Sequence, residues 1–199
     1  MKDTTKIKGA TYSDDISGLK LDTKKEYTLQ DIYLFEARNI TKATIKYLAI
    51  TPDKKTAPFS FDWFITLHDE MFGEVWDWAG KLRQVELSIG VKAYTVSTEL
   101  KNLVDDFTFW DKNKTYDTIE IAARLHHRAV QIHPFKNGNG RWSRMLANIY
   151  LKQKGLQPTK WNEDLLSKDN PHRDDYINAL KKADGGEYKT LIKLQSDML

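Results

Sequence analysis

The chain has 199 residues, 40% of them hydrophobic and 12% aromatic, which is the composition of one folded globular domain with a conventional core. It contains no cysteine, which excludes disulfides, thiolate nucleophiles and cysteine-ligated zinc and fits a reducing cytoplasm. The net charge of +3 comes from 31 Lys and Arg interspersed with 28 Asp and Glu, too weak and too mixed to argue for direct nucleic-acid binding.

The N-terminus Met1-Lys2-Asp3-Thr4-Thr5-Lys6 has no apolar core of a leader, and no window approaches ~20 consecutive apolar residues, so a soluble, unexported protein with no membrane span is expected. Residues 1–27 are polar and aperiodic and read as an irregular arm lying on the domain. Thr28, with Asp31 three residues on, caps a helix running to about Ala49 whose apolar positions include Leu29, Ile32, Tyr33, Ile40 and Ala43. Residues 52–58 form a loop. Ser60 then caps a helix through Phe64, Ile65, His68, Met71 and Phe72, stopped by Gly73. His68 falls on its apolar face and reads as a satisfied core histidine.

Val85, Leu87, Ile89 and Val91 alternate with Gln84, Glu86, Ser88 and Gly90. Strict period two predicts a strand, and Tyr94-Thr95-Val96 would return as the second arm of a small β-hairpin. Its outer edge could accept an extended peptide as an added strand. Ser97 or Thr98 starts a helix through Leu100, Leu103, Val104, Phe107 and Trp110. Asp117 and Glu120 have capping-box spacing before a further helix that carries Ile121, Ala122, Leu125, Ala129 and Ile132 inward.

That helix should stop at about Ile132, because Pro134 drives His133 out of the helical region. Asn137-Gly138-Asn139-Gly140 can take tight or left-handed backbone angles, and a helix starts at about Arg141. A glycine-rich loop entering a helix N-terminus leaves N–H groups and the positive end of the dipole for an anion, phosphate above all. Arg141 and Arg144, three apart, can reach the same anion, and two arginines suggest more than one phosphate. His133, with an ordinary pKa of ~6.5, suits a general base. Trp142, Met145, Leu146 and Ile149 form the buried stripe of the last-named helix, which ends at Gly155 with Pro158 beyond. Asn170 and Pro171 open another helix with Tyr176, Ile177 and Leu180, closed by Gly185-Gly186 before a short terminal helix from Glu187 to Leu194.

The run from His133 to Arg144 resembles the Fic family motif His-x-Phe-x-(Asp or Glu)-Gly-Asn-Gly-Arg-x-x-Arg, with Asn137 in the acidic position. Residues 71–83 and Ile89-Gly90-Val91 resemble the Fic segment leading into a target-recognising flap. Gly9-Ala10-Thr11, Glu36 to Ile40, and Tyr176 to Asp184 are similar to the branch called mobile mystery protein B, so that similarity covers about residues 9–195, with the Fic domain expected to span 28–199.

The resemblance implies a mainly α, single-domain Fic fold, a helical bundle with one small β-hairpin flap. It also implies an enzyme moving AMP from ATP onto a hydroxyl side chain of another protein. His133 would take the proton of that hydroxyl. Phe135 would anchor the loop, Gly138, Asn139 and Gly140 would hold phosphate oxygens, and Arg141 and Arg144 would neutralise the distal phosphates. Asn137 stands where the family ligates Mg²⁺, and an amide oxygen is a poorer ligand for that hard cation. Ser88, Ile89, Gly90 and Val91 would form the target flap. Glu36 is the nearest candidate for the inhibitory glutamate of the family, pairing with Arg144. Two alternatives are a Doc-like kinase transferring the γ phosphate and a catalytically impaired nucleotide-binding protein of a toxin–antitoxin-like module with an antitoxin-like partner.

Overall fold

The computed structural model describes residues 17–22, 27–161 and 171–198. Its elements are α1 (Leu29–Leu48), α2 (Phe61–Phe72), a 3₁₀ turn (Ala93–Thr95), α3 (Val96–Asn113), α4 (Thr118–Ile132), α5 (Asn139–Gln153), α6 (Pro171–Asp184) and α7 (Lys189–Ser196). The mainly helical class expected from the sequence is the one found. Among the described residues no helix is long and apolar enough to cross a membrane.

The helix starts follow their caps. The Thr28 hydroxyl accepts the Asp31 N–H at 3.2 Å while the Thr28 N–H donates to the Asp31 carboxylate at 2.9 Å, a reciprocal capping box. The Ser60 hydroxyl accepts the Trp63 N–H at 3.3 Å. Before α4 the reciprocal box does not form: Asp117 takes the cap position without a side-chain bond, and Glu120 turns along the helix to pair with Arg124 at 2.7 Å. Helix α3 starts at Val96, the Ser97 and Thr98 hydroxyls lying inside its first turn. The Asn170 cap and the Gly9-Ala10-Thr11 segment lie outside the described residues.

Helices α4 and α5 pack side by side at the centre, with α2 and α3 against them. The core runs through Phe64, Leu67, Met71, Leu100, Leu103, Leu125, Ile132, Trp142, Leu146 and Tyr150, all essentially sealed from solvent. A second apolar cluster of Ala123, Tyr176, Ala179, Leu180, Ala183 and Leu191 fastens α6 and α7 to the far side of α4. Of the N-terminal arm, residues 17–22 lie along 75–77. Leu19 bridges Trp76, Lys20 N–H donates to the Val75 carbonyl, and Asp77 N–H donates to Gly18.

Helix α1 departs from its apolar count. Its inward face is Ile32, Glu36, Asn39, Ala43 and Tyr47, whereas Leu34 and Ile45 are exposed. Asn39 is satisfied by the Glu70 carbonyl and the Glu74 N–H.

The expected β-hairpin is corrected. Among the described residues its two arms do not pair. The return arm is the 3₁₀ turn Ala93–Thr95 that runs straight into α3, and Val85 and Ile89 face solvent at 59% and 58% exposure. The alternation was real, but the backbone groups of this excursion bond elsewhere, to Arg83 and to the carbonyls at the end of α4. Period two requires extended chain and does not by itself supply a neighbouring strand.

Candidate active site

The site is assembled where α4 ends and α5 begins. His133 caps α4 at φ 53 and ψ 61, so Pro134 does remove it from the right-handed region, though into the left-handed one. Its backbone N–H still reaches the Ala129 carbonyl at 3.2 Å. Burial pushes the imidazole down to about 4, the Val130 carbonyl opposing and the Arg83 guanidinium adding to the fall. His133 is therefore neutral across the physiological range and open to accept a proton, below the ordinary value assumed from sequence.

Phe135 is fully buried, its ring stacked on His68 at 3.6 Å and set edge-on to Trp142 at 5.0 Å. The loop is clamped from inside by Asn139, whose side-chain oxygen accepts the Phe135 N–H at 2.9 Å and whose amide donates to the Phe135 carbonyl at 2.8 Å. The Asn139 side chain thus faces inward, and what this residue can offer an anion is its backbone N–H. Helix α5 starts at Asn139, two residues before the sequence suggested, because Gly138 takes the cap position at φ 78. The first bond of the helix runs from Trp142 N–H to the Gly138 carbonyl, leaving the N–H groups of Asn139, Gly140 and Arg141 beyond the helical ladder. A Cβ on Gly138 would lie 2.7 Å from the Phe72 ring, so glycine is required by space as well as by angle.

His68 supplies a support that periodicity did not reveal. The Gly80 N–H donates to its Nδ1 at 3.0 Å, which leaves the proton on Nε2, and this donates to the Asn137 carbonyl at 3.0 Å. Burial pushes it down to about 3, the Asn137 carbonyl opposing and Arg141 adding. The reading as a satisfied core histidine holds, and the satisfaction comes from the loop itself.

The two arginines diverge. Arg141 lies over the Phe72 ring at 4.8 Å, and its Nη1 meets the Glu36 carboxylate at 2.8 Å, with the two side chains 11% and 4% exposed. Glu36 also accepts the Trp76 indole N–H at 3.3 Å. The expected Glu36–Arg144 pair is corrected to Glu36–Arg141, and Glu36 is no solvated surface carboxylate. Helix α1 delivers Glu36 between Trp76 and the first turn of α5, whereas Arg144, one turn on, lies over the Tyr176 ring of α6 at 5.7 Å. The Arg144 Nη1 stays near the loop, 3.3 Å from where a Cβ on Gly140 would be.

The Asn137 amide oxygen accepts the N–H of its neighbour Gly138 at 2.6 Å. Among the described residues there is no group of three or more His, Cys, Asp or Glu able to hold a metal. One neutral oxygen already bonded to the loop is a poor donor set for a protein-held Mg²⁺.

Two of the residues expected to form the flap, Gly90 and Val91, lie against His133 and the end of α4. Val91 N–H bonds the Ile132 carbonyl at 3.3 Å, and a Cβ on Gly90 at φ 103 would lie 2.7 Å from the His133 Cβ. Ser88 and Ile89 project outward, exposed.

Residues 58–151, the stretch that holds α2, the flap, the base and the loop, match the Fic/DOC family. That stretch, just under half of the chain, is similar to Fic/DOC domains. The protein adenylyltransferase Fic of Aedes aegypti is 27% identical over 159 residues, which cover 78% of this chain and 30% of that protein. The chain thus spans under a third of the length of this curated relative. Among solved structures, a Fic-1 fragment from C. elegans has a TM-score of 0.68 at 23% identity, over 89% of this chain and 51% of that one. BepC from Bartonella tribocorum, solved with bound AMPPNP, has a TM-score of 0.66 at 17% identity, over 94% and 95%. At these identities the likeness is one of fold alone, and a shared fold does not carry a function with it.

Proposed function

We propose that this Fic/DOC domain transfers AMP from ATP to a hydroxyl side chain of a target protein. The observation that carries the reading is the placement of a neutral histidine between a solvent-facing flap and the open N-terminus of α5. Nucleotide phosphates would lie on the N–H groups of Asn139, Gly140 and Arg141, with Arg141 and Arg144 beside them. His133 Nε2 would take the proton of a hydroxyl presented by the flap at Ser88, Ile89, Gly90 and Val91. Attack of the hydroxyl oxygen at the α phosphorus breaks its bond to the α–β bridging oxygen and releases pyrophosphate, a step that asks the protein mainly for positioning and charge, which a rigid loop supplies.

The name of the mosquito relative and the AMPPNP bound to BepC support nucleotide chemistry. No step is routed through a metal. Any Mg²⁺ would arrive on the phosphates of ATP rather than on a protein carboxylate. Glu36 is read as a restraint, because its carboxylate occupies the Arg141 guanidinium that a phosphate would use. The resemblance over Glu36 to Ile40 and Tyr176 to Asp184 supports placement in the mobile mystery protein B branch, with an antitoxin-like partner, and the lack of cysteine suits a cytoplasmic protein.

The test is incubation of the protein and a lysate with ATP labelled at the α or the γ phosphate. Transfer of the α label to protein, lost by ~10²–10⁴-fold in His133→Ala, is the expected result. Transfer of the γ label would replace the reading with a kinase, and no transfer from either position with a non-catalytic nucleotide-binding protein.

A further inference from the structure

An α-helix leaves its last carbonyls without helical partners, and at the left-handed turn of His133 those of Ile132 and His133 are followed by that of Pro134. One residue collects all three. Arg83 N–H donates to the Pro134 carbonyl at 2.9 Å, its Nε to the His133 carbonyl at 2.7 Å, and its Nη2 to the Ile132 carbonyl at 3.4 Å. The same guanidinium donates from Nη1 to the Val85 carbonyl at 3.0 Å and from Nη2 to the Val91 carbonyl. Val85 precedes the exposed turn Ser88-Ile89-Gly90 and Val91 follows it. The side chain is only 4% exposed, and 50 residues of chain separate it from the histidine it holds.

We propose that Arg83 is a positioning residue that fastens both ends of the flap and the backbone of His133 into one unit, fixing where a docked target hydroxyl meets the base. The proposal rests on the reading of His133 as that base.

The geometry explains the residue types. Five N–H groups in a fixed planar fork can serve carbonyls on three segments at once, which an ammonium at the end of a flexible stem cannot. A cation at the end of α4 also sits favourably against the negative end of its dipole. Gly90 has no room for a side chain, because a Cβ there would lie 2.8 Å from Arg83 Nη2 and 3.1 Å from the Ile132 carbonyl. Arg83 is the charge that faces His133, and Glu86 is the charge that faces Arg83.

The experiment uses the full chain with Arg83→Lys and Arg83→Met, following amide hydrogen exchange over 84–92 and titration of the His133 imidazole by NMR. Exchange over the flap should accelerate by about tenfold or more in both variants, as expected when charge-assisted bonds to its carbonyls are lost. The His133 titration should stay near 4 with Lys and move upward with Met. Wild-type exchange over 84–92 in the Lys variant would overturn the proposal, as would an unmoved His133 titration in a folded Met variant. If Met abolishes the cooperative thermal transition, the Lys variant decides alone, by fast flap exchange or by its absence. Neither readout involves nucleotide transfer. A wild-type protein that transferred no α label would strike the proposed function and leave this test standing.

Discussion

Glu36→Gln tests the restraint on Arg141 with the smallest change of shape. The carboxylate and the guanidinium are 2.8 Å apart and nearly sealed from water, so this is a charge-assisted bond in a low-dielectric setting rather than a screened surface pair. Such a bond contributes about 1.5–3 kcal/mol. The amide keeps an acceptor for the Trp76 indole and removes the charge facing Arg141. A nucleotide phosphate that must displace the carboxylate from Arg141 would be relieved of that cost in the variant. At about 1.4 kcal/mol per factor of ten, affinity for AMPPNP should rise roughly ten- to a hundredfold, read by calorimetric titration. The ligand-free protein should at the same time melt at a lower temperature, because the buried Glu36–Arg141 ion pair is broken. Glu74→Gln is the control: this carboxylate pairs with Lys42 at the surface with 58% of its side chain exposed, and its loss should leave affinity unchanged. AMPPNP affinity within twofold of wild type in Glu36→Gln would refute the restraint and leave the pair as a packing feature.

Gly138→Ala should abolish nucleotide binding and cost several kcal/mol by thermal melting, since a Cβ would strike the Phe72 ring in addition to the left-handed strain. Gly186→Ala, at φ 86 with open space around it, should show only the ~1 kcal/mol of strain. Stability should fall on acidification. His68 titrates at about 3 folded against 6.5 unfolded, so the unfolded chain binds more protons between those values, and stability present above pH 6.5 is lost as pH falls through that window. Its slope is up to about 1.4 kcal/mol per pH unit, and His68→Phe should flatten urea-derived stability between pH 6 and 4 by that amount. Asn137→Asp should gain Mg²⁺-dependent α-label transfer by giving the loop a carboxylate. Transfer that stayed at the wild-type level over a magnesium titration would show that the amide at this position does not limit the metal.

Much of the fold was legible because its signals are local. The Thr28 box, the Ser60 cap, the Pro134 stop and the Gly155 end each depend on a few neighbouring residues, and each stands within a residue or two of where local chemistry puts it. The failures have a common physical form. Glu36 and Asn39 look like the polar face of α1, yet they are buried because the partners that satisfy them, Arg141, Trp76, Glu70 and Glu74, come from distant sequence. The alternation of 84–91 describes an extended chain correctly but is silent on which backbone groups it meets. Asn139 reads as a phosphate-loop residue, and nothing in the sequence says that its amide turns inward to close on Phe135.

These missed contacts explain how so polar a loop stays fixed. A phosphate site needs N–H groups aimed outward, and a loop of Asn and Gly has no apolar side chains of its own to set that aim. Here the aim is set from behind: Asn139 closes on the Phe135 backbone, His68 holds the Asn137 carbonyl, and Phe72 leaves space only for glycine at 138. None of these supports uses the N–H groups of Asn139, Gly140 or Arg141. On the proposed reading of Glu36 as a restraint, a phosphate would replace it at Arg141 without dismantling the loop's anchoring, which is what a reversible restraint needs.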